Sequence, residues 1–476
     1  MVLATSVSAY ALLQSLVIPV LPSIQRGLHT SQNTVTWVLT AYLLSASIFT
    51  PIVGRLGDMW GKQKMFVAAL GVLVAGCVLS AVATSMTLMI AGRLIQGVGG
   101  GVMPLAFGII RDEFPEEAVA GAVGSIASLT AVGGGFGLVI AGPVERVFSY
   151  HWLFWLPAIV LVAAGIAAYR FVPASPVRVP GRVNWLAAVL MSAWLVALLL
   201  PISDAAEWGW ASGRVIGLLV LAGLLAGTWI WVERRSASPL IDMRMMRLPI
   251  VWTTNLVALL MGIGMYATFA FIPQFVQTPT SAGYGFGASI VESGLILLPS
   301  NIVMFVVGTS VGRLTMRYGG KRLLVVGTAI TVASFIVLLL ARDAVWEVIV
   351  AMMLQGASFG LAFAAMSTLI VEGVPVEQTG VASGMNANIR TIGGSVGAAV
   401  MSTLVAGSAV AGGLPTSSGY NRGFLFLTLG ATAAACAAWL VPARRRRLSQ
   451  QEAKAALPHP EMGVVAAGTL FGDDPE

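Results

Sequence analysis

The sequence predicts an all-α integral membrane protein of fourteen transmembrane helices, arranged as two six-helix bundles with two extra helices between them. Three observations predict it. The chain of 476 residues is 57% hydrophobic and only 10% charged, with a mean hydropathy of +0.88, whereas soluble chains carry about a quarter charged residues. Its apolar blocks are mostly about 18 to 25 residues long, enough for a helix rising about 1.5 Å per residue to cross a hydrocarbon core of about 30 Å. Landmarks also recur in order at one spacing: Gly312 follows Gly54 by 258 residues, Gln355-Gly356 follows Gln96-Gly97 by 259, and Gly393-Gly394 follows Gly134-Gly135 by 259. Barrel strands would show short alternating segments instead.

Taken in order, the spans predicted at 3–22, 34–54, 65–84, 88–110, 118–142 and 151–171 make an N-terminal bundle over residues 1–172. No basic segment precedes the first, so it does not read as a cleavable signal peptide, and a start upstream of Met1 is expected. Spans at 185–202 and 215–232, with their linkers, occupy 173–250. Those at 251–273, 289–312, 323–341, 345–369, 379–406 and 423–442 make a C-terminal bundle over 251–443. Residues 444–476 are polar and proline-containing and read as a disordered cytoplasmic tail. Alternate loops hold 20 of the 27 basic residues, which by the positive-inside rule puts both termini in the cytoplasm.

Charge and cysteine usage exclude other classes. The net charge of +7 lies in short loops, so topology explains it better than nucleic acid does. Cys77 and Cys436 fall inside spans, and His29, His151 and His459 are far apart. No metal site or cofactor is expected, and no phosphate-binding loop points to ATP.

The stretch GRLGDMWGKQKM, residues 54–65, sets Arg55, Asp58, Lys62 and Lys64 between two apolar runs, and GRLTMRYGGKRL returns at 312–323. With WVLTAYLLSASIFTPIVGRLGD (37–58), RLIQGVGGGVMP (93–104), FIPQFVQ and ESGLILLP (271–299) and NIRTIGGSVGAAV (388–400), it resembles the major facilitator superfamily. The branch it is most similar to is the fourteen-helix drug:proton antiporters of the EmrB/QacA type. The resemblance covers about residues 10–442. It implies a secondary transporter rather than an enzyme, exporting an amphipathic small molecule such as a drug or antibiotic against protons across the plasma membrane. A monomer in the bilayer is expected.

Candidate residues follow. Gly54, Arg55, Asp58, Gly61 and Lys62, with Gly312, Arg313 and Gly319 in the second copy, form a gating loop in which glycine permits a tight turn and Asp58 suits a helix N-terminus or a basic partner. For the basic residues a solvated, topology-setting role is preferred. Gly133, Gly134, Gly135 and Gly137 allow close helix approach, as a sliding interface or as plain packing. The family pattern has a proline where Leu138 stands.

Arg93 and Arg390 lie inside spans, where arginine is costly. The resemblance implies a proton-coupling role for Arg93, while interhelical hydrogen bonds to carbonyls account for either residue equally simply. The family's first-span acid is replaced by Leu13. Glu292 is then the best proton carrier, although Ser289 and Glu292 have the spacing of a capping box. Asp112 and Glu113 read as lining the cytoplasmic mouth. Gln14, Tyr42, Gln96, Asn255, Tyr266, Asn386 and Arg390 are expected to reach a central cavity suited to neutral or anionic amphiphiles. A facilitator or importer without a proton step, and a non-transporting membrane sensor, remain as alternatives.

Overall fold

The structure, a computed structural model, describes residues 1–17, 20–30, 32–175, 184–406 and 415–442; the predicted tail lies outside them. Residues Met1–Pro442 pack as one compact unit. The first helices are α1 (Val2–Leu16), the short α2 (Leu21–Gly27), α3 (Gln32–Trp60), α4 (Lys62–Ala81), α5 (Met86–Val98), α6 (Val102–Glu113), α7 (Glu116–Val147) and α8 (Trp152–Phe171). Gly99–Gly101 carries α5 into α6 as a single 3-10 turn. Next come α9 (Trp185–Trp208), α10 (Gly213–Arg235) and the one-turn α11 (Met243–Met246). The chain continues with α12 (Pro249–Gln277), α13 (Ile290–Tyr318), α14 (Gly320–Leu340), α15 (Val345–Gly373), α16 (Thr379–Ala406) and α17 (Ser417–Leu440).

Among the described residues, eleven helical segments are long and apolar enough to cross a membrane. The fourteen spans expected would need α1, α7 and α16 as well. The first is an apolar helix of 15 residues, and the other two, of 32 and 28 residues, are not among the eleven.

Helix pairing repeats with the sequence. The contacts α1–α7, α3–α5, α4–α8 and α4–α5 have counterparts in α12–α16, α13–α15, α14–α17 and α14–α15. The two sets meet through α7 on α13 and α3 on α16, pairs that are themselves related by the repeat. On one side a Cβ added to Gly54 would lie 2.6 Å from the Gly380 carbonyl oxygen; on the other, Gly312 sits against the Gly121 backbone. Helix α9 packs on both α3 and α16, with Ala187, Met191 and Leu195 in one apolar cluster with Ile52 and Met385. The linker after α10 is pinned by buried Glu233, which accepts from the N–H groups of Leu240 (2.9 Å) and Ile241 (3.2 Å).

Several boundaries differ from the sequence reading: α1 ends at Leu16 rather than at 22 and α9 runs to Trp208 rather than to 202, and the copied stretch differs in both halves. The stretch 54–60 continues α3 as helix, and the turn is confined to Gly61, at φ +107°. In the second copy α13 runs to Tyr318 and turns at Gly319, at φ +82°. Hydropathy ends a span where charges begin, but a helix continues while its charged side chains find partners. Only these two glycines of the copied stretch occupy the left-handed half of backbone space that other residues avoid.

The glycines of α7 divide between two neighbours. A Cβ at Gly133 would lie 2.9 Å from Leu12 N, and one at Gly137 3.0 Å from Leu12 O, both on α1; one at Gly135 would lie 2.6 Å from Asn301 Cβ on α13. Small residues thus let one helix approach α1 on one face and α13 on the other. Gly133→Val is expected to destabilise the fold by about 1–3 kcal/mol through overpacking. The check is the thermal midpoint in detergent, with Gly217→Val, where nothing lies within 4 Å, leaving it unchanged.

Candidate functional site

The α3–α4 turn is built around a carboxylate. Asp58, in the last turn of α3, is 1% exposed. Its Oδ1 accepts from the Gly380 N–H at 3.3 Å and its Oδ2 from the Val381 N–H at 3.1 Å. Both donors belong to the first turn of α16, where N–H groups have no partner within the helix and the helix dipole favours negative charge. The approach requires glycine on both sides: on α16 a Cβ at Gly380 would sit 2.9 Å from Asp58 Oδ1 and one at Gly384 3.0 Å from Pro51 Cα, and on α3 one at Gly54 would meet the Gly380 carbonyl. Hydrogen bonds to a charged acceptor contribute about 1.5–3 kcal/mol each.

Lys62 overturns the expectation of a solvated basic turn. It is completely buried, its stem lies along Gly108, and its Nζ is 2.7 and 2.9 Å from the two Asp112 oxygens and 4.0 Å from Asp58 Oδ1. The acid–base–acid chain joins α3, α4 and α6. Asp112 therefore works as an internal counter-ion rather than as lining of a mouth. Its neighbour Arg111 donates to Thr379 Oγ1 and to the Val374 carbonyl, both at 2.8 Å. Arg111 and Asp58 thus hold the start of α16 and the segment leading to it from two helices. Arg55 lines a cavity of about 180 Å³ with Leu240, Asp242, Glu377 and Gln378.

The second copy keeps the backbone approach and lacks the charge. Met316, the counterpart of Asp58, is 64% exposed, and Arg313 is exposed. The solvated reading of the basic residues fits Arg313 and not Lys62.

Arg93 is fully buried. Its Nε donates to the Val38 carbonyl at 2.8 Å and a terminal nitrogen to Gln96 Oε1 at 2.5 Å. Its guanidinium stands 4.5 Å from the Tyr42 ring centroid, a cation–π arrangement. Gln96 Nε2 donates to Ser80 Oγ at 3.0 Å. Arg93, Gln96 and Tyr42 therefore tie α5 to α3 and α4, which corrects the placing of Gln96 in a central cavity. The repeat counterpart Gln355 has Met352 where Gln96 has Arg93, and its amide has no hydrogen-bond partner.

Around Arg390 the picture is different. It lines a small cavity with Met103, Phe107, Ser367, Ser383 and Asn386, between α6, α15 and α16. Asn386 Nδ2 donates to Asn255 Oδ1 at 2.9 Å, tying α16 to α12. The Tyr266 ring of α12 packs against Gly394 of α16, one turn beyond Arg390. Of the expected cavity set, Asn386 and Arg390 line this cavity, and Asn255 and Tyr266 stand next to them. Glu292 does not join them. It is exposed, its carboxylate accepts from the Ser289 N–H at 2.7 Å, and Ser289 Oγ accepts from the Glu292 N–H at 3.2 Å. This is the capping box at the start of α13.

Comparison with known proteins gives this arrangement its setting. The model of the Major Facilitator Superfamily matches residues 3–398. An uncharacterized MFS-type transporter of Mycobacterium tuberculosis is 27% identical over 404 residues, covering 82% of this chain, which spans 57% of that protein's length. The multidrug transporter protein MdtP of Bacillus subtilis is 29% identical over 381 residues, 78% of this chain and 69% of its own. The tetracenomycin C resistance and export protein of Streptomyces glaucescens is 27% identical over 407 residues, 85% of this chain and 74% of its own. In fold, the chain is similar to the human organic anion transporter MFSD10 (TM-score 0.65, 14% identity, covering 92% of this chain and 98% of that one). A double-tryptophan mutant of XylE is similar too (TM-score 0.68, 13% identity, 95% and 97%).

The buried ion pair makes a stability prediction. Lys62→Met strands Asp112 and is expected to cost about 3–5 kcal/mol, whereas Lys62→Met with Asp112→Leu removes both charges and recovers most of it. Thermal denaturation of the purified single and double variants measures the difference.

Proposed function

The chain belongs to the Major Facilitator Superfamily, and from that premise we propose that it is a proton-coupled exporter of amphipathic small molecules in the plasma membrane. It is a multi-pass membrane transporter and not an enzyme. The finer reading has two six-helix halves, residues 1–172 and 251–443, rocking about a site between them, with α9 and α10 as the extra pair. Counting α1, α7 and α16 as spans makes fourteen, with both termini cytoplasmic.

The observation that carries it is the Asp58 carboxylate on the first turn of α16. This contact joins the halves at the end that the positive-inside rule makes cytoplasmic. Opening that end must break it, so it favours one of two arrangements. Gly54, Arg55, Gly61 and Lys62 shape and charge the contact, and Gly312, Arg313 and Gly319 provide a counterpart without the carboxylate. The reading of export draws on the likeness to the B. subtilis multidrug transporter and the S. glaucescens resistance and export protein.

The proton step is assigned to Asp58 in place of Glu292. A proton on Asp58 removes the charge that the α16 amides and dipole stabilise, loosening the inner closure; Arg93 positions helices and carries no proton. A facilitator without a proton step is the second reading, favoured by fully buried Leu13 where the family has an acid.

Asp58→Asn keeps the shape and loses the charge. In proteoliposomes it is expected to slow export of a substrate dye at least about tenfold while inserting normally, and normal export would remove the gating role. Collapsing the pH gradient is expected to slow wild-type export to a similar extent. Export indifferent to the gradient leaves the facilitator reading.

A further inference from the structure

Two arginines lie inside the helical bundle, and they are treated differently. Arg93 is satisfied by its own protein: a carbonyl, an amide oxygen and an aromatic face surround it. Arg390 is the twelfth residue of the 28-residue α16, about 17 Å from its start at 1.5 Å per residue. Its Nε is buried without a hydrogen-bond partner. Among the described residues, both ion pairs belong to Lys62 and neither reaches Arg390. What Arg390 does have is a ring, with its guanidinium 5.0 Å from the Phe363 centroid.

Arg390 is half-buried and faces the cavity, and a guanidinium this deep in a bundle without an anion is costly and in a membrane protein marks a substrate or ion pathway. The residues around it come from both halves of the repeat: Met103 and Phe107 precede the extra helices, and Tyr266 and Phe363 follow them. Tyrosine hydroxyls donate hydrogen bonds, a guanidinium offers a planar fork matched to a carboxylate, and aromatic faces suit a flat apolar body. The described acidic residues closest to the turn end, Asp58 and Asp112, are already engaged by amides and by Lys62.

We propose that Arg390, with Phe363 against its guanidinium and Tyr266 one turn away, is the head-group site for an amphipathic aromatic carboxylate, so that the transported molecule supplies the negative charge the protein omits. This rests on the transport reading above and narrows it: flat acids are preferred, their neutral analogues bind more weakly, and the corresponding cations are rejected.

Three probes sharing one ring system separate these cases: pyrenebutyrate, pyrenebutanol and pyrenebutylamine. Binding to the purified full chain is followed by pyrene fluorescence, and movement is followed in proteoliposomes. The wild type is expected to bind the acid at least about tenfold more tightly than the alcohol and to bind the amine most weakly. Arg390→Gln is expected to erase the acid's advantage while leaving affinity for the alcohol within about twofold, and Arg390→Lys to keep part of it.

Equal affinity for acid and alcohol in the wild type, preference for the amine, failure to bind any of the three, or an unchanged ratio in Arg390→Gln overturns the proposal. If Arg390→Gln does not fold, the wild-type ratio and Arg390→Lys decide. The two readings fail separately. Movement of the alcohol without preference for the acid leaves transport standing and removes the head-group site. Arg390-dependent binding of the acid without movement of any probe leaves the site standing and removes transport.

Discussion

A carboxylate against a helix N-terminus holds this molecule's two repeats together at one end. Asp58 is withdrawn from solvent, and that is tolerable only because two amide groups of α16 and the Lys62 ammonium face it. Each partner imposes a further requirement. The amides are reached only where Gly54, Gly380 and Gly384 let α3 and α16 touch backbone to backbone. Lys62 is buried in turn, so it needs Asp112, and Gly108 leaves room for its stem. A small group of glycines and three charged residues therefore form one unit, and removing any member strands another in a low-dielectric setting.

The repeat makes the asymmetry informative. Backbone geometry is duplicated: Gly312 meets Gly121 as Gly54 meets Gly380, and Gly319 turns the chain as Gly61 does. The charges are not duplicated, since Met316 stands where Asp58 does and Met352 where Arg93 does. One seam is thus held by electrostatics that protonation or substitution can weaken, and the other by close packing of small residues. Helix α9, packed on both α3 and α16, adds apolar contact at the charged seam.

Much of this was legible in the sequence for a physical reason. Charges are scarce in a membrane protein, so each charged run stands out, and the glycine spacing of the α3–α4 stretch exposed both the repeat and Asp58. The α7 glycines were legible as an interface, though not the division of one stripe between α1 and α13. Pairing across the fold was hidden. Lys62 and Asp112 lie 50 residues apart, Arg111 meets residues more than 260 away, and nothing local marks either. Glu292 misled for the opposite reason: scarcity made an acid near a span look functional, while Ser289 three residues earlier already explained it. The helix ends were misjudged because Arg55 and Asp58 read as loop, although a satisfied charge does not end a helix.

Closure of this end depends most on Asp58 keeping the α3 and α16 ends together. Trp60 and Glu377 are both exposed beside this contact, and the two cysteines, Cys77 and Cys436, can be replaced by serine to clear the background. Spin labels at Trp60→Cys and Glu377→Cys then report the separation by pulsed electron resonance in nanodiscs. If Asp58 closes this end, a short distance is the main population, and Asp58→Asn transfers most of it to a longer one. The same distribution with and without the Asp58 charge would contradict it.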